Sequence, residues 1–140
     1  MTDDEIKNIL KTAHTIAAVG LSSDETKDSF GVGVYLIRAS YHIIPINPRA
    51  DKIMGRTVYR DLPSIPQGTA IDVVQIFRPA NEVPALVEQA IQSGAKVVWM
   101  QEGIINEAAA ETAHAAGLQV IMDRCMMKEH RRLLARSKMD

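Results

Sequence analysis

The strongest constraint on the fold is the regular return of short apolar runs along the chain. Five such runs are separated by helix-like segments, at spacings of roughly 20–30 residues. They are Thr15 to Val19, Tyr41 to Ile46, Ile71 to Phe77, Ala95 to Met100 and Leu118 to Met122. Short runs without polar alternation are typical of strands that are buried on both faces. The pattern therefore predicts five buried strands joined by helices.

The segments between the runs contain helix signals. Thr2 and Glu5 have the spacing of a capping box, so a first helix is expected from there to about Thr12 or Ala13. Further helices are predicted from Phe30 to Ala39, Pro79 to Ser93, Glu107 to Ala116 and Met126 to Ala135, with residues 136–140 fraying. Residues 51–70 are less regular, with a turn near 53–55 and a short extended piece from Thr57 to Leu62.

Strands that alternate with helices form right-handed βαβ units, which place the helices on the two faces of a parallel sheet. We therefore predict an α/β, three-layer Rossmann-type fold with a parallel sheet of about five strands. The 140 residues match the usual size of one domain. We expect a single domain over residues 1–140.

Composition narrows the classes of function. The chain is 46% hydrophobic and 24% charged with a net charge of -1, which is ordinary for a globular protein and argues against nucleic-acid binding. It has no apolar run long enough to span a membrane and no signal-peptide pattern.

Cys125 is the only cysteine, which favours a reducing compartment. The expected location is the cytoplasm. The four histidines are scattered without metal-ligand spacing, so we predict no metal site.

Ligands of open parallel sheets bind beyond the carboxyl ends of the strands. Gly20 follows the first predicted strand and permits a tight turn there. The hydroxyls of Ser22 and Ser23, the loop amides and the start of the next helix can receive phosphate oxygens. Lys27 adds a positive charge. An ordinary βα loop that contains a glycine would show the same residues.

The second and third strands end in different chemistry. Asn47-Pro48-Arg49 contains a cation where dinucleotide enzymes often have a carboxylate for the ribose 2′-hydroxyl. This disfavours NAD and favours a phosphorylated ribose, as in NADP or coenzyme A, although a solvated arginine in a turn is the alternative. Phe77-Arg78-Pro79 offers an apolar wall, a charge and a helix start.

Few residues form a catalytic pattern, and we predict no catalytic residue. Glu102 follows the fourth strand and could act as a base, but a solvated loop residue is the plainer interpretation. Cys125 lies beside Arg124, a cation that could favour its thiolate. A small, half-buried apolar side chain is the plainer interpretation there too.

Short motifs follow the predicted strands in a fixed order. The main ones are Val19-Gly20-Leu21-Ser22, Pro45-Ile46-Asn47-Pro48, Phe77-Arg78-Pro79, Trp99-Met100-Gln101-Glu102-Gly103 and Asp123-Arg124-Cys125. This ordered set resembles the CoA-binding domain family, across roughly residues 5 to 134. The family comprises small stand-alone proteins similar to the N-terminal domain of the succinyl-CoA synthetase alpha subunit. The resemblance implies a Rossmann fold with coenzyme A across the carboxyl edge of the sheet.

The resemblance also implies roles for individual residues. It implies that Gly20, Ser22 and Lys27 meet phosphates, that Asn47, Pro48 and Arg49 lie by the adenosine, that Phe77, Arg78 and Pro79 flank the nucleotide, and that Gln101 lines the pantetheine side. The phosphohistidine chemistry of the synthetase belongs to a second domain that has no counterpart in this chain.

The expected function is therefore a non-catalytic module that binds coenzyme A or an acyl-CoA, with a small nucleotide as partner and neither nucleic acid nor membrane. The alternative is a small NADP-dependent or acyl-CoA-handling enzyme that uses Cys125 or Glu102. An interaction protein with a decayed cleft is a third hypothesis, against which the Gly20 loop and Arg49 argue.

Overall fold

The computed structural model describes residues 1–135, and the predicted fraying of residues 136–140 lies outside them. A central sheet of five parallel strands runs in the order β2-β1-β5-β6-β7. These strands are β1 (Thr15–Val19), β2 (His42–Ile46), β5 (Val73–Ile76), β6 (Val97–Met100) and β7 (Gln119–Ile121). Every pairing between them is parallel. The predicted α/β fold is confirmed. The carboxyl end of each strand lies within one residue of the predicted position.

Helices cover both faces of the sheet, which confirms the three-layer prediction. On one face lie α1 (Asp3–Thr12), α2 (Asp28–Arg38) and α5 (Met126–His130), packed around the fully buried Trp99. On the other face lie α3 (Val83–Gln92) and α4 (Glu107–Ala115). A π-helical stretch, Arg131–Ala135, continues α5, where the apolar pattern predicted an uninterrupted α-helix.

The helix ends follow the local signals in the sequence. Thr2 and Glu5 form the expected capping box, with Glu5 N donating to Thr2 Oγ1 at 3.2 Å and Thr2 N donating to Glu5 Oε1 at 3.0 Å. The helix predicted from Pro79 begins instead as a 3-10 turn over Ala80–Glu82. Pro84 explains the difference, because it has no N–H to donate to the carbonyl of Ala80.

The connection from β2 to β5 contains no covering helix. It forms an antiparallel hairpin of β3 (Lys52–Ile53) and β4 (Arg56–Thr57), and later a 3-10 turn, Leu62–Ser64. Between them Tyr59 pairs with Ile46 at the end of β2 through an isolated bridge. This pairing brings the residues after Tyr59 to the carboxyl edge of the sheet.

The strand order reverses at β1. The chain passes from β1 to β2 on one side and then returns to β5 on the other side of β1. The helices that follow β1 and β5 lie on opposite faces, which opens a crevice between the carboxyl ends of these two strands.

Asp72 joins the amino ends of β1 and β5. Its Oδ2 accepts hydrogen bonds from the amides of His14 at 2.8 Å and Thr15 at 2.9 Å, and Lys96 Nζ lies 3.5 Å from Oδ1. Partial burial alone would raise the pKa of the Asp72 carboxyl. The hydrogen bonds from Thr15 and His14 and the charge of Lys96 outweigh it, and they hold the pKa below its ordinary value of 3.8.

We expect Asp72→Ala to lower the free energy of unfolding by about 1–2 kcal/mol at neutral pH, since two backbone amides lose their acceptor. Because the folded-state pKa of Asp72 is depressed, this stabilisation is present above its ordinary value of 3.8 and is lost as the pH falls through the folded value. Urea denaturation at neutral pH and at about pH 3 measures both effects. Asp51→Ala, at an exposed aspartate, is the matched control. Equal stability of the two variants at neutral pH would contradict the prediction.

Candidate functional site

A cleft of about 820 Å³ opens at the carboxyl ends of β1, β2 and β5, and we call it the first groove. The predicted site residues that line it are Gly20, Ser22, Lys27, Asn47, Pro48, Arg49, Phe77 and Arg78. Ser23 and Pro79 are exposed and are not part of this lining, although each is adjacent in sequence to a residue that is. Gln101 lies in a neighbouring groove, described below. Residues distant in the sequence thus meet at the reversal of strand order.

Gly20 makes the tight turn that ends β1. Its φ is +89°, in the left-handed region that favours glycine. A Cβ at this position would lie 2.8 Å from Cδ of Arg78 and 3.4 Å from Cβ of Phe77. The missing side chain therefore lets the stem of Arg78 pack directly on the backbone of the β1 turn.

The loop after Gly20 is closed by its own hydroxyl groups. Ser29 Oγ accepts from the amide of Ser22 at 3.0 Å, and Ser22 Oγ accepts from the amide of Asp24 at 2.9 Å. The Ser22 hydroxyl accepts but donates no hydrogen bond within residues 1–135, so it can donate to a ligand. Lys27 is the N-cap residue of α2 and makes no side-chain capping bond. The amide of Phe30 donates to Lys27 O at 3.1 Å, and the two residues before it, Asp28 and Ser29, begin α2 at this end of the sheet and line the first groove. The amides of a first helical turn lack the acceptors that later turns have.

Four cations line the first groove, and three of them are unpaired in the described part of the chain. Lys27, Arg49 and Arg60 form no ion pair there. Arg78 instead donates to both carboxylate oxygens of Glu82, at 3.1 and 2.8 Å. Hydrogen bonding to Arg78 lowers the pKa of the Glu82 carboxyl. The groove is thus suited to an anionic ligand with several charges.

Asn47 lines the first groove, but its side chain mainly holds the groove together. Nδ2 donates to the carbonyl of Leu21 at 3.1 Å, and Oδ1 accepts from the amide of Arg49 at 2.8 Å. Asn47 therefore ties the loop after β1 to the turn after β2. The position by the adenosine that the family resemblance implied for Asn47 stays a prediction.

The sequence analysis missed Arg60 and Asp61, which also line the first groove. They arrive there because Tyr59 pairs with β2, with Asn47 N donating to Tyr59 O at 2.9 Å. The only available signal was the short extended piece predicted from Thr57 to Leu62. The sequence pattern did not show which strand that piece would join.

A second groove of about 660 Å³ lies beside the first. The two share the residues Lys27, Asp28, Ser29 and Phe77. The far end of the second groove is lined by Gln101, Glu102, Cys125 and Lys128. The second groove therefore extends the first across the carboxyl edge of the sheet, past Phe77 and towards the end of β6.

The two candidate catalytic residues lie at this second groove. Glu102 Oε1 accepts from Lys128 Nζ at 2.8 Å, and both side chains are 59% exposed, so they form a solvated ion pair at the rim. Cys125 is 7% exposed and lies at the floor. Within residues 1–135 no three His, Cys, Asp or Glu side chains are grouped to hold a metal ion. No helix in that range is long and apolar enough to cross a membrane.

The sequence of the chain matches the model of a known protein family. The family model described as "CoA binding domain" matches residues 14–131. The chain belongs to the CoA-binding domain family. The resemblance predicted from the sequence motifs is therefore confirmed. The match extends from the first strand of the sheet into the last helix.

Two relatives match this chain over nearly the whole length of both proteins. The uncharacterized protein YneT of Bacillus subtilis (strain 168) is 36% identical over 126 residues, covering 90% of this chain and 92% of YneT. The structure of a hypothetical protein from Pyrococcus horikoshii OT3 is 40% identical, with a TM-score of 0.91, and the match covers 96% of this chain and 93% of that one.

One larger structural neighbour is an enzyme. The dinucleotide forming acetyl-coenzyme A synthetase 1 of Ca. Korarchaeum cryptofilum, in complex with phosphate and ADP, is 25% identical with a TM-score of 0.67. The match covers 81% of this chain and 27% of the synthetase chain. The sequence motifs predicted a likeness to the alpha subunit of succinyl-CoA synthetase, whereas this neighbour is an acetyl-coenzyme A synthetase, so only the coarser likeness to a CoA synthetase is supported.

Gly20→Ala should destabilise the protein by about 1–3 kcal/mol, because alanine would adopt a left-handed backbone conformation and would clash with Arg78. Gly31→Ala is the matched control, since a Cβ there meets nothing within 4 Å and replaces a glycine inside α2. We expect that control to be stabilised by about 0.5–1 kcal/mol. Urea denaturation measures both changes. A Gly20→Ala protein as stable as the wild type would show that the turn accepts a side chain.

Proposed function

We propose that the protein binds coenzyme A, or an acyl-CoA, in the first groove, and that it does so as a module without catalysis of its own. The observation on which this rests most is the set of unpaired cations, Lys27, Arg49 and Arg60, around the Gly20 turn. Membership of the CoA-binding domain family supports the same ligand.

The charges divide into two groups that suit the two phosphate sites of coenzyme A. In our proposal, Lys27, the Ser22 hydroxyl and the first amides of α2 receive the diphosphate, as helix N-termini commonly do. Arg49 and Arg60 lie on the side of β2 and receive the 3′-phosphate of the ribose. Phe77 offers its ring to the adenine or to the start of the pantetheine arm.

A ligand with a long arm fits two grooves better than a compact nucleotide does. The second groove continues from the first at Phe77 and ends near Gln101. In this proposal the diphosphate lies in the first groove and the pantetheine arm in the second. NADP shares the phosphorylated ribose and is the alternative ligand, with a small NADP-dependent enzyme as the corresponding function. The single domain over residues 1–140 and the cytoplasmic location stay predictions.

A thermal-shift panel of coenzyme A, acetyl-CoA, NAD, NADP, ATP and FAD tests the choice of ligand. A ligand that binds only the folded state raises the melting temperature. We expect coenzyme A to give a larger shift than NAD, because the turn that directly follows β2, Asn47-Pro48-Arg49, has a cation and no carboxylate. A larger shift with NAD would overturn the proposal. A larger shift with NADP than with coenzyme A would favour the alternative.

Lys27→Ala should weaken the binding of coenzyme A by about 1–2 kcal/mol, the scale of one charge-assisted hydrogen bond. The loss should shrink with added salt, since exposed charge pairs are screened. Calorimetry at two salt concentrations measures both effects. Lys11→Ala removes an exposed lysine of α1, before the amino end of β1, and is the control. Equal affinity of Lys27→Ala and wild type at low salt would show that Lys27 is only a solvated loop residue.

A further inference from the structure

The floor of the second groove presents a hydrogen-bond donor that the protein does not use. Gln101 is 6% exposed, and its Oε1 accepts from Gln75 Nε2 at 3.1 Å and from the amide of Met126 at 3.0 Å. The backbone donor at Met126 fixes which end of the amide is the oxygen. Gln101 Nε2 has no hydrogen-bond partner in residues 1–135. Among fully buried side-chain nitrogen and oxygen atoms of those residues, Gln89 Oε1 is the one that lacks a partner. Because Gln101 lines the second groove, this unused donor is available there to an acceptor from a ligand.

Cys125 lies beside this donor in the same groove and is held by the peptide groups on both sides of it. Trp99 Nε1 donates to the carbonyl of Arg124 at 2.7 Å, and Gln101 accepts from the amide of Met126. The backbone around Cys125 is thus fixed to the buried end of β6. A thiol in such a place meets only molecules that enter the second groove.

The ammonium group of Lys128 lines the same groove as the Cys125 thiol. Lys128 has a raised pKa, chiefly because of its hydrogen bond to Glu102, and attraction between its ammonium group and Cys125 makes a smaller contribution. Exchange with a disulfide needs the thiolate as the nucleophile and a route for the disulfide to reach it, and the second groove that Lys128 and Cys125 both line supplies that route.

We propose that Cys125 forms a mixed disulfide with the thiol end of a CoA molecule whose arm lies in the second groove against Gln101. The inference rests on the proposed function, because the nucleotide in the first groove directs the arm. The Cys125 thiolate attacks one sulfur of CoA disulfide, a new Sγ–S bond forms, and the original S–S bond breaks. The other CoA leaves as a thiolate and takes a proton from water. Cys125 is oxidised, one half of CoA disulfide is reduced, and the second half stays on the protein.

The proposal distinguishes this thiol from a generally reactive one. Noncovalent docking of the nucleotide raises the effective concentration of the disulfide at Cys125. Glutathione disulfide has no nucleotide and does not gain this advantage. CoA disulfide should therefore react at least about tenfold faster than glutathione disulfide at equal concentration.

Intact-mass time courses test the inference on the full chain. We expect wild type to gain one CoA from CoA disulfide, and Cys125→Ser, the variant without any cysteine, to gain none. Lys27→Ala should slow the reaction with CoA disulfide several-fold more than the reaction with glutathione disulfide, and Lys11→Ala should alter neither. The comparison of the two disulfides on wild type does not depend on any variant folding.

A separate measurement separates this inference from the proposed function. Calorimetry of wild type with coenzyme A under a phosphine reductant reports binding without disulfide exchange. Binding there with no CoA adduct in the mass experiment, or with equal rates for the two disulfides, would overturn the Cys125 inference alone. An absence of binding under the reductant would overturn the proposed function and the inference with it.

Discussion

The central strand β1 is paired on both edges and covered on both faces, and the groups of the first groove take their positions from it. It pairs with β2 on one edge and β5 on the other, and all five of its residues are buried. The connections from β1 to β2 and from β5 to β6 run in opposite directions across the sheet, and both are expected to be right-handed. The helices of these connections must therefore cover opposite faces of the sheet. The crevice is thus a consequence of strand order and does not depend on any one side chain. Gly20 sits at its centre because it is the residue at which β1 ends.

Much of the fold was predictable from the sequence because it depends on neighbours in the chain. The capping box of Thr2 and Glu5 and the five apolar runs are local patterns, and each produced the expected element. Local chemistry also explains the largest departure, the 3-10 start before α3, which follows from Pro84. The change to π-helix after α5 has no comparable signal in the sequence. It lies where the helix packs against α1, a contact that periodicity does not specify.

The candidate site was predictable only in part, because some of its members depend on partners far away in the chain. Gly20 and Arg49 could be found because each follows a recognisable strand. Arg60 could not, since it reaches the first groove through the pairing of Tyr59 with the end of β2. The engagement of the Asn47 amide with a distant carbonyl was equally invisible to the pattern. Residue type indicated the chemistry of the edge, and tertiary pairing decided which groups are free to act there.

The connection between β2 and β5 contributes to the first groove but not to the central sheet. It adds no strand to the central sheet and no covering helix, yet it supplies Arg60 to one wall of the first groove. Loops accept sequence change more readily than the elements that they join. A chain built in this way can exchange the charge at that wall within a few residues, while the register of the five strands is untouched. Descendants of one scaffold can therefore diverge in the charge that this wall presents without rebuilding the framework behind it.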